Sequence, residues 1–196
     1  MTNKEIIDIA MQQSAYDLNA KVSDFLMDVN VIVKSEIGPL AKKYYEEPIA
    51  CNFISYGNNI VASVKEEYRE IVESYLSKYE FYHCFETPNM HWFDERMKEN
   101  GYRICFMAEY FLPDVNVLKR RECNYQFKVL EQKDFANLYL PTWSNALCEG
   151  RKQLDVLGVG AYDNRKMIGL AACSADCDDM WQIGVDVLPE YRRKGI

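Results

Sequence analysis

The sequence has no apolar run long enough to cross a membrane. Its apolar stretches all fall short of the roughly 20 residues that a spanning helix needs. The first ten residues, MTNKEIIDIA, carry charges where a signal peptide has its apolar core. These absences predict a cytoplasmic protein with no membrane partner.

Histidine is scarce, and cysteine shows neither a metal nor a disulfide pattern. The two histidines, His83 and His91, have only Cys84 close by in the sequence, and no second pair of closely spaced ligands completes a zinc site. The seven cysteines are an odd number and include no CxxC pair. We therefore predict no metal site and a set of reduced, buried thiols.

Positive charge is also limited. Asp and Glu (30) outnumber Lys and Arg (23), so the formal net charge is −7. A nucleic-acid backbone needs a clustered basic face, and the short run Arg192, Arg193 and Lys194 is too small to supply one. The GxxxxGK[ST], GxGxxG and nucleophile-elbow patterns are missing as well. We predict no nucleic-acid partner and no nucleotide-binding or phosphatase role for this run.

What the sequence does have is the composition of a folded α/β protein. Nearly half of the 196 residues are apolar, and no Gly/Ser linker or low-complexity run occurs. A chain of this length fits one large domain or two small ones. The stretch KRRECN at 119–124 stands between two predicted strands. We therefore predict an N-terminal α/β half at residues 1–121 and a second half at residues 125–196.

The first half alternates helical and strand-like patterns. The first predicted elements are a helix over 4–27 and a hairpin of strands at 49–55 and 60–63. A helix over 64–79 then starts from a capping box of Ser63 and Glu66, and another helix starts at Thr87 and Pro88 and ends before Gly101. The last predicted element is a largely buried strand over 102–112. The hairpin turn is YGNN, whose Gly and Asn tolerate positive φ. These patterns predict a small layered α/β unit.

The second half is richer in strands. Its predicted elements are a strand over 125–130, two short helices over 134–140 and 142–151 separated by Pro141, an antiparallel hairpin of strands at 157–162 and 167–173, and a last strand over 181–187. The last strand runs directly into LPEYRRKGI.

This final stretch has the chemistry of an anion-binding turn. Pro189 stops the strand, the basic run supplies positive charge, and Gly195 lets the backbone approach a ligand without a Cβ in the way. The first N–H groups of a helix that started here would point at the same place and favour an anion. We interpret the stretch as a seat for a pyrophosphate.

The order strand, two helices, β-hairpin and strand, followed by VDVLPEYRRKGI, resembles the GNAT superfamily of acetyl-CoA-dependent N-acetyltransferases. The family motif is Arg or Gln, two residues, Gly, one residue, then Gly or Ala, after a strand that ends in Val-x-x-Pro or similar. Residues 192–196 match its first five positions, and residues 125–196 carry the order of elements. The resemblance implies a GNAT-like mixed sheet flanked by helices.

The resemblance also implies a cofactor site and a reaction. The implied cofactor-binding residues are Val185, Val187, Arg192, Arg193, Lys194, Gly195 and Ile196. The two valines would pair their backbone with the pantetheine arm of acetyl-CoA, Arg192 would support the turn or neutralise phosphate, and the last four residues would offer N–H groups to the pyrophosphate. The implied reaction transfers an acetyl group from the thioester directly to a primary amine of a small molecule or peptide.

The catalytic base is left unassigned. Asp186, on the last strand, is either a base or a structural hydrogen-bond acceptor. Trp181 stands where some family members carry a strand glutamate. We interpret Trp143 and Trp181 as core residues in preference to an acceptor pocket, and the acidic loop at 174–179 as a solvated turn.

The chain reaches Ile196 before the second Gly or Ala of the motif. A carboxylate there would repel the pyrophosphate by of order 1 kcal/mol, so we expect weak cofactor binding by this chain.

The alternative hypothesis is a non-catalytic GNAT-fold module for binding or assembly, in which an exposed strand edge pairs two copies into a homodimer. The first half is interpreted as a degenerate GNAT-like copy that completes the sheet or shapes the acceptor site.

Overall fold

Helices and two β-sheets make up the structure, which confirms the predicted α/β class. It is a computed structural model that describes residues 1–119 and 122–196. The chain divides into two compact units, Met1–Asn116 and Val117–Ile196. The predicted boundary at 119–124 includes two arginines that lie outside the described residues. Over the described ranges, none of the helices has the length and apolarity needed to span a membrane.

The first helix, α1, is Asn3–Leu18 and is shorter than the predicted 4–27. Thr2 and Glu5 form a capping box at its start: Glu5 N donates to Thr2 Oγ1 at 3.2 Å, and Thr2 N donates to Glu5 Oε2 at 2.6 Å. Asn19 ends the helix in the left-handed region, with φ of 56°. The apolar pattern continues past this end into a short 3₁₀ helix, which explains why periodicity alone overran it.

Three short strands form the first sheet: β1 is Val31–Lys34, β2 is Cys51–Ile54 and β3 is Val61–Val64. β3 lies between the other two, parallel to β1 and antiparallel to β2. The predicted hairpin is therefore confirmed as β2 and β3. The sequence prediction contains no strand at β1, although VIVK is rich in β-branched residues.

Two helices follow this sheet: α2 is Arg69–Lys78 and α3 is Thr87–Lys98. The predicted capping box is wrong, because Ser63 is a buried residue of β3 and a 3₁₀ turn separates that strand from α2. The prediction for α3 is closer to the structure. Pro88 lies in its first turn, and Gly101, with φ of 79°, follows its end.

Tyr75 lies at the centre of the core of the first unit. Its side chain is fully buried, its ring packs against the rings of Phe53, Trp92 and Phe93, and its hydroxyl donates to Cys84 O at 2.5 Å. Phe53 belongs to β2, whereas the other two rings belong to α3. One aromatic side chain of α2 thus joins the sheet to both helices.

Residues 102–112 do not form the predicted buried strand. They run without helix, turn or bend, belong to neither sheet, and almost all of them are exposed. Their apolar composition predicted burial, but a strand becomes buried only when another strand pairs with it or a layer covers it. Among the described strands, none lies beside this stretch.

The second unit contains a four-stranded antiparallel sheet. In order across the sheet, its strands are β4, Gln126–Glu131; β5, Asp155–Asp163; β6, Lys166–Ser174; and β7, Gln182–Val187. Each strand pairs antiparallel with the next. All four strands predicted for this half are confirmed.

The two helices predicted at 134–140 and 142–151 are wrong. Short 3₁₀ segments occupy this stretch, which crosses one face of the sheet instead. The buried residues that pack together there are Leu130, Phe135, Trp143, Ala146, Leu147, Leu170 and Ala172. Pro141 and Gly150 lower the helix propensity of this stretch, and core packing holds the irregular chain in place.

The two sheets share neither strand order nor strand direction. The first has a central strand with one parallel neighbour, whereas the described strands of the second are antiparallel throughout. The structure therefore gives no support to the hypothesis that the first half is a degenerate copy of the second.

All seven cysteines are free thiols, but most are not buried. Cys84 and Cys177 are buried, Cys105 is exposed, and the other four are half-buried, so the predicted burial is wrong for five of them. Within the part of the chain that the structure describes, no group of three His, Cys, Asp or Glu side chains is placed to hold a metal ion.

Candidate functional site

The last strand, β7, has one open edge. It pairs with β6 on one side, and none of the described strands lies on the other. Leu188 N donates to Ile168 O at 2.9 Å, which identifies these two residues as a hydrogen-bonded pair of the antiparallel ladder. Because such pairs alternate, the backbone groups of Ile183, Val185 and Val187 point away from β6. The two valines predicted to bind the cofactor therefore present their backbone to the open edge.

A loop is pressed against one face of β7 and held there by Asp186. A Cβ at Gly184 would lie 1.8 Å from Asn145 O, so the approach requires glycine. Asn145 N and Ala146 N each donate to Asp186 Oδ2 at 2.9 Å, and Asn145 Nδ2 donates to Asp186 Oδ1 at 2.7 Å. Both carboxylate oxygens are thus engaged by the loop. Of the two roles predicted for Asp186, base and structural hydrogen-bond acceptor, the structure supports the second.

The chain leaves β7 through a tight turn with two left-handed residues. A 3₁₀ turn, Pro189–Tyr191, follows the strand, and Arg193 and Gly195 then have φ of 61° and 77°. Positive φ at every second residue resembles the backbone pattern of anion-binding nests. Among the described residues, none accepts a hydrogen bond from the backbone N–H groups of residues 193–196. These N–H groups are free to bind a ligand.

The three basic side chains of the turn have different roles. Arg192 Nε donates to Val187 O at 3.1 Å, so this side chain supports the turn. Lys194 Nζ lies 4.9 Å from the centre of the Tyr191 ring, over its face. Arg193 and Lys194 are both exposed. Both can therefore meet an anion, as can the terminal N–H groups of Arg192, whose side chain is also exposed.

Some of the side chains considered for an acceptor pocket are buried and others are exposed. Trp143 is buried in the core, as predicted, whereas Trp181 is half-exposed and is not a core residue. The acidic loop is not a fully solvated turn, because Asp176 is buried. Its Oδ1 accepts from Ser174 Oγ at 2.7 Å and from Arg151 Nη1 at 3.4 Å.

Sequence reasoning misses a second buried carboxylate in this unit, Asp155. It begins β5, is 1% exposed, and its Oδ2 accepts from Cys148 N at 3.0 Å. Burial raises the pKa of Asp155, and the charge of Asp176 adds to the rise. The Cys148 N–H, the Tyr139 hydroxyl and Arg151 act in the opposite direction but do not cancel it. The sequence signal for it was an aspartate at the start of an otherwise apolar strand.

Replacing Asp155 with asparagine is expected to remove a pH dependence from the unfolding of the second unit. The folded-state pKa of Asp155 lies above the unfolded value, so its contribution to stability is fully present below about pH 4 and is lost as the pH rises through the raised pKa. The variant should lack this loss and have the higher free energy of unfolding at pH 7. Urea titrations at a series of pH values, followed by tryptophan fluorescence, measure both effects. Parallel pH profiles for wild type and variant would contradict the assignment.

No family model, curated protein or solved structure matches the chain. The residues of β7 and of the turn that follows it are therefore the basis for a functional proposal.

Proposed function

We propose that the chain is an acetyl-CoA-dependent N-acetyltransferase of GNAT-like fold, with its cofactor site along β7 and the following turn. One juxtaposition carries the proposal: the open edge at Val185 and Val187 runs directly into the cationic turn at 192–196, whose N–H groups are unpaired among the described residues. The amides of the pantetheine arm suit a strand edge, and the pyrophosphate suits N–H donors beside cations. The two features thus match the two ends of one cofactor.

The proposed reaction is direct acetyl transfer to a primary amine of a small molecule or peptide. The neutral amine nitrogen attacks the carbonyl carbon of the thioester, a C–N bond forms as the C–S bond breaks, and the sulfur leaves as a thiolate that takes up a proton. Outward N–H groups of β7 would polarise the carbonyl during the attack. The proton lost by the amine goes to a base that is not assigned, because Asp186 already serves the loop.

Removing two positive charges from the turn is expected to weaken acetyl-CoA binding. In the double variant R193Q/K194Q the dissociation constant should rise by about tenfold or more, because charge-assisted contacts to the phosphates are lost. Isothermal titration calorimetry, with cofactor at up to millimolar concentration, measures the change. The matched control is K128Q/K133Q, which removes the same charge at and just after β4, on the far side of the sheet, and should bind like wild type.

Two results would defeat the proposal: no saturable binding of acetyl-CoA, or equal binding by the two double variants. Catalysis is tested separately by measuring thiol release from acetyl-CoA with a panel of small and peptide amines. A protein that binds the cofactor through the turn but releases no thiol would be the non-catalytic module of the alternative hypothesis.

A further inference from the structure

One stretch of the first unit, residues 104–112, exposes most of its apolar side chains to solvent, and we name it the apolar segment. Phe111 is 89% exposed, Phe106 66% and Tyr110 58%. Its one charged residue is Glu109. Contiguous apolar surface of this kind on a folded protein marks a site of association. The segment takes no part in the proposed cofactor site.

Both ends of the apolar segment are fixed to the body of the first unit. At one end, the carboxylate of Asp94 accepts two hydrogen bonds, from Arg103 Nε at 2.8 Å and from Ile104 N at 2.7 Å. At the other end, Asn3 Nδ2 donates to Asp114 Oδ1 at 2.7 Å, and Asn3 Oδ1 accepts from Val115 N at 2.9 Å. These contacts hold the segment in place before any partner binds, which reduces the entropy lost on association.

The backbone of the apolar segment is unpaired. Within the described residues, none forms a backbone–backbone hydrogen bond with residues 105–112. A stretch without turns or bends, with free N–H and C=O groups, is a template for pairing with another strand. The aromatic-rich sequence ICFMAEYFL favours that conformation.

We propose that the partner is a second copy of this chain, which pairs its own apolar segment antiparallel to the first about a two-fold axis at Ala108. A contact with this symmetry needs only one surface, and every copy carries it. Ala108 is the midpoint of residues 104–112 and has the smallest side chain among them. The two backbones can therefore approach closely at the axis.

The side chains of the segment suit this register. Phe106 lies opposite Tyr110 of the partner subunit, and the symmetry repeats this aromatic pair on the other side of the axis. Glu109 lies opposite Met107 of the partner subunit. A register centred on Glu109 would instead place two carboxylates directly opposite each other, which is destabilising.

The apolar area is in the range of a weak, specific dimer. A large aromatic side chain presents on the order of 200 Å², so Phe106, Tyr110 and Phe111 at their exposed fractions offer on the order of 400 Å² per copy. Met107 and Leu112 are also exposed and add to this area. A standard interface buries about 800 Å² per partner, so we expect a dissociation constant on the order of micromolar.

Charge placed at the axis tests the proposal. Ala108→Asp sets two carboxylates opposite each other, whereas Ala108→Asn, the matched control, sets two neutral amides of the same shape there. Ala108 is exposed in the single chain, so both variants should fold like wild type. In sedimentation velocity of the full chain over a concentration series, we expect the A108D dimer to dissociate about tenfold more readily than the A108N dimer. The difference should narrow at high salt.

Disulfide cross-linking tests the register. In a Cys105→Ser background, Ala108→Cys places two thiols opposite each other and should give a disulfide-linked dimer on mild oxidation. Leu112→Cys in the same background is the control, because position 112 lies opposite Ile104 and its two thiols would be far apart. The C105S chain alone measures cross-linking through the remaining cysteines.

Four results would overturn the proposal. A wild-type chain that is monomeric well above micromolar concentration has no such dimer. A dimer whose dissociation constant is the same in A108D and A108N uses another surface. So does a dimer that forms a disulfide through L112C as readily as through A108C. Open-ended aggregation would also exclude it, because a two-fold pair closes on itself.

Discussion

Replacing Gly184 with alanine is expected to lower the free energy of unfolding of the second unit by about 3 kcal/mol or more. The new Cβ would lie 1.8 Å from Asn145 O and 2.7 Å from Asn145 C, so two stretches of backbone must separate. Separation also breaks the hydrogen bonds from the loop to Asp186. Urea unfolding followed by tryptophan fluorescence measures the loss, because Trp143 is buried in the core that this loop helps to form.

The matched control for this substitution is Gly150→Ala in the same unit. A Cβ at Gly150 would have nothing within 4 Å, so the free energy of unfolding should change by less than about 0.5 kcal/mol. Similar values for G184A and G150A would mean that the loop is not packed against β7.

Truncating Tyr75 to alanine is expected to destabilise the first unit by about 3–5 kcal/mol. The truncation leaves a cavity between Phe53, Trp92 and Phe93, where rings from a strand and a helix now meet the tyrosine. Tyr75→Phe keeps the ring and removes only the bond to Cys84 O, so its effect should be near 1 kcal/mol, or about a quarter as large. Hydrogen exchange across α2 and α3, measured by mass spectrometry, locates the loss in this unit.

The control for the aromatic core is Tyr82→Ala. Tyr82 is exposed, so its truncation should change the free energy of unfolding by no more than about 0.5 kcal/mol. If Y75A were as mild as Y82A, Tyr75 would not be the residue that joins the sheet to both helices.

The strands of the second unit were predictable because their signals are local. LGVGAY and MIGLAAC are apolar runs on either side of a polar turn, and antiparallel neighbours joined by so short a turn must pair. The failures concern residues whose burial depends on distant partners. Phe135, Trp143 and Leu147 have a spacing that suggests helices, yet they reach the core from an irregular chain. Residues 102–112 are apolar enough for a strand, but composition alone does not supply a neighbour.

The candidate site was likewise predictable where its signals are local and not where they depend on distant residues. Pro189, the basic run and Gly195 are adjacent in the sequence, and their chemistry can be read directly from it. The partners of Asp186, in contrast, lie about forty residues earlier in the chain, at Asn145 and Ala146. No local pattern reports that contact, so the choice between base and structural acceptor required the three-dimensional structure.

The hydrogen bond from Arg192 Nε to Val187 O closes one end of the open edge of β7. A strand from another protein would need that carbonyl to extend its pairing along the whole edge, and the guanidinium already occupies it. What is left of the edge, from Ile183 to the N–H of Val187, suits a slender ligand with few amides, and a protein strand could pair with only that part of it. The arginine that supports the turn thereby also shortens the edge at which another chain could add a strand.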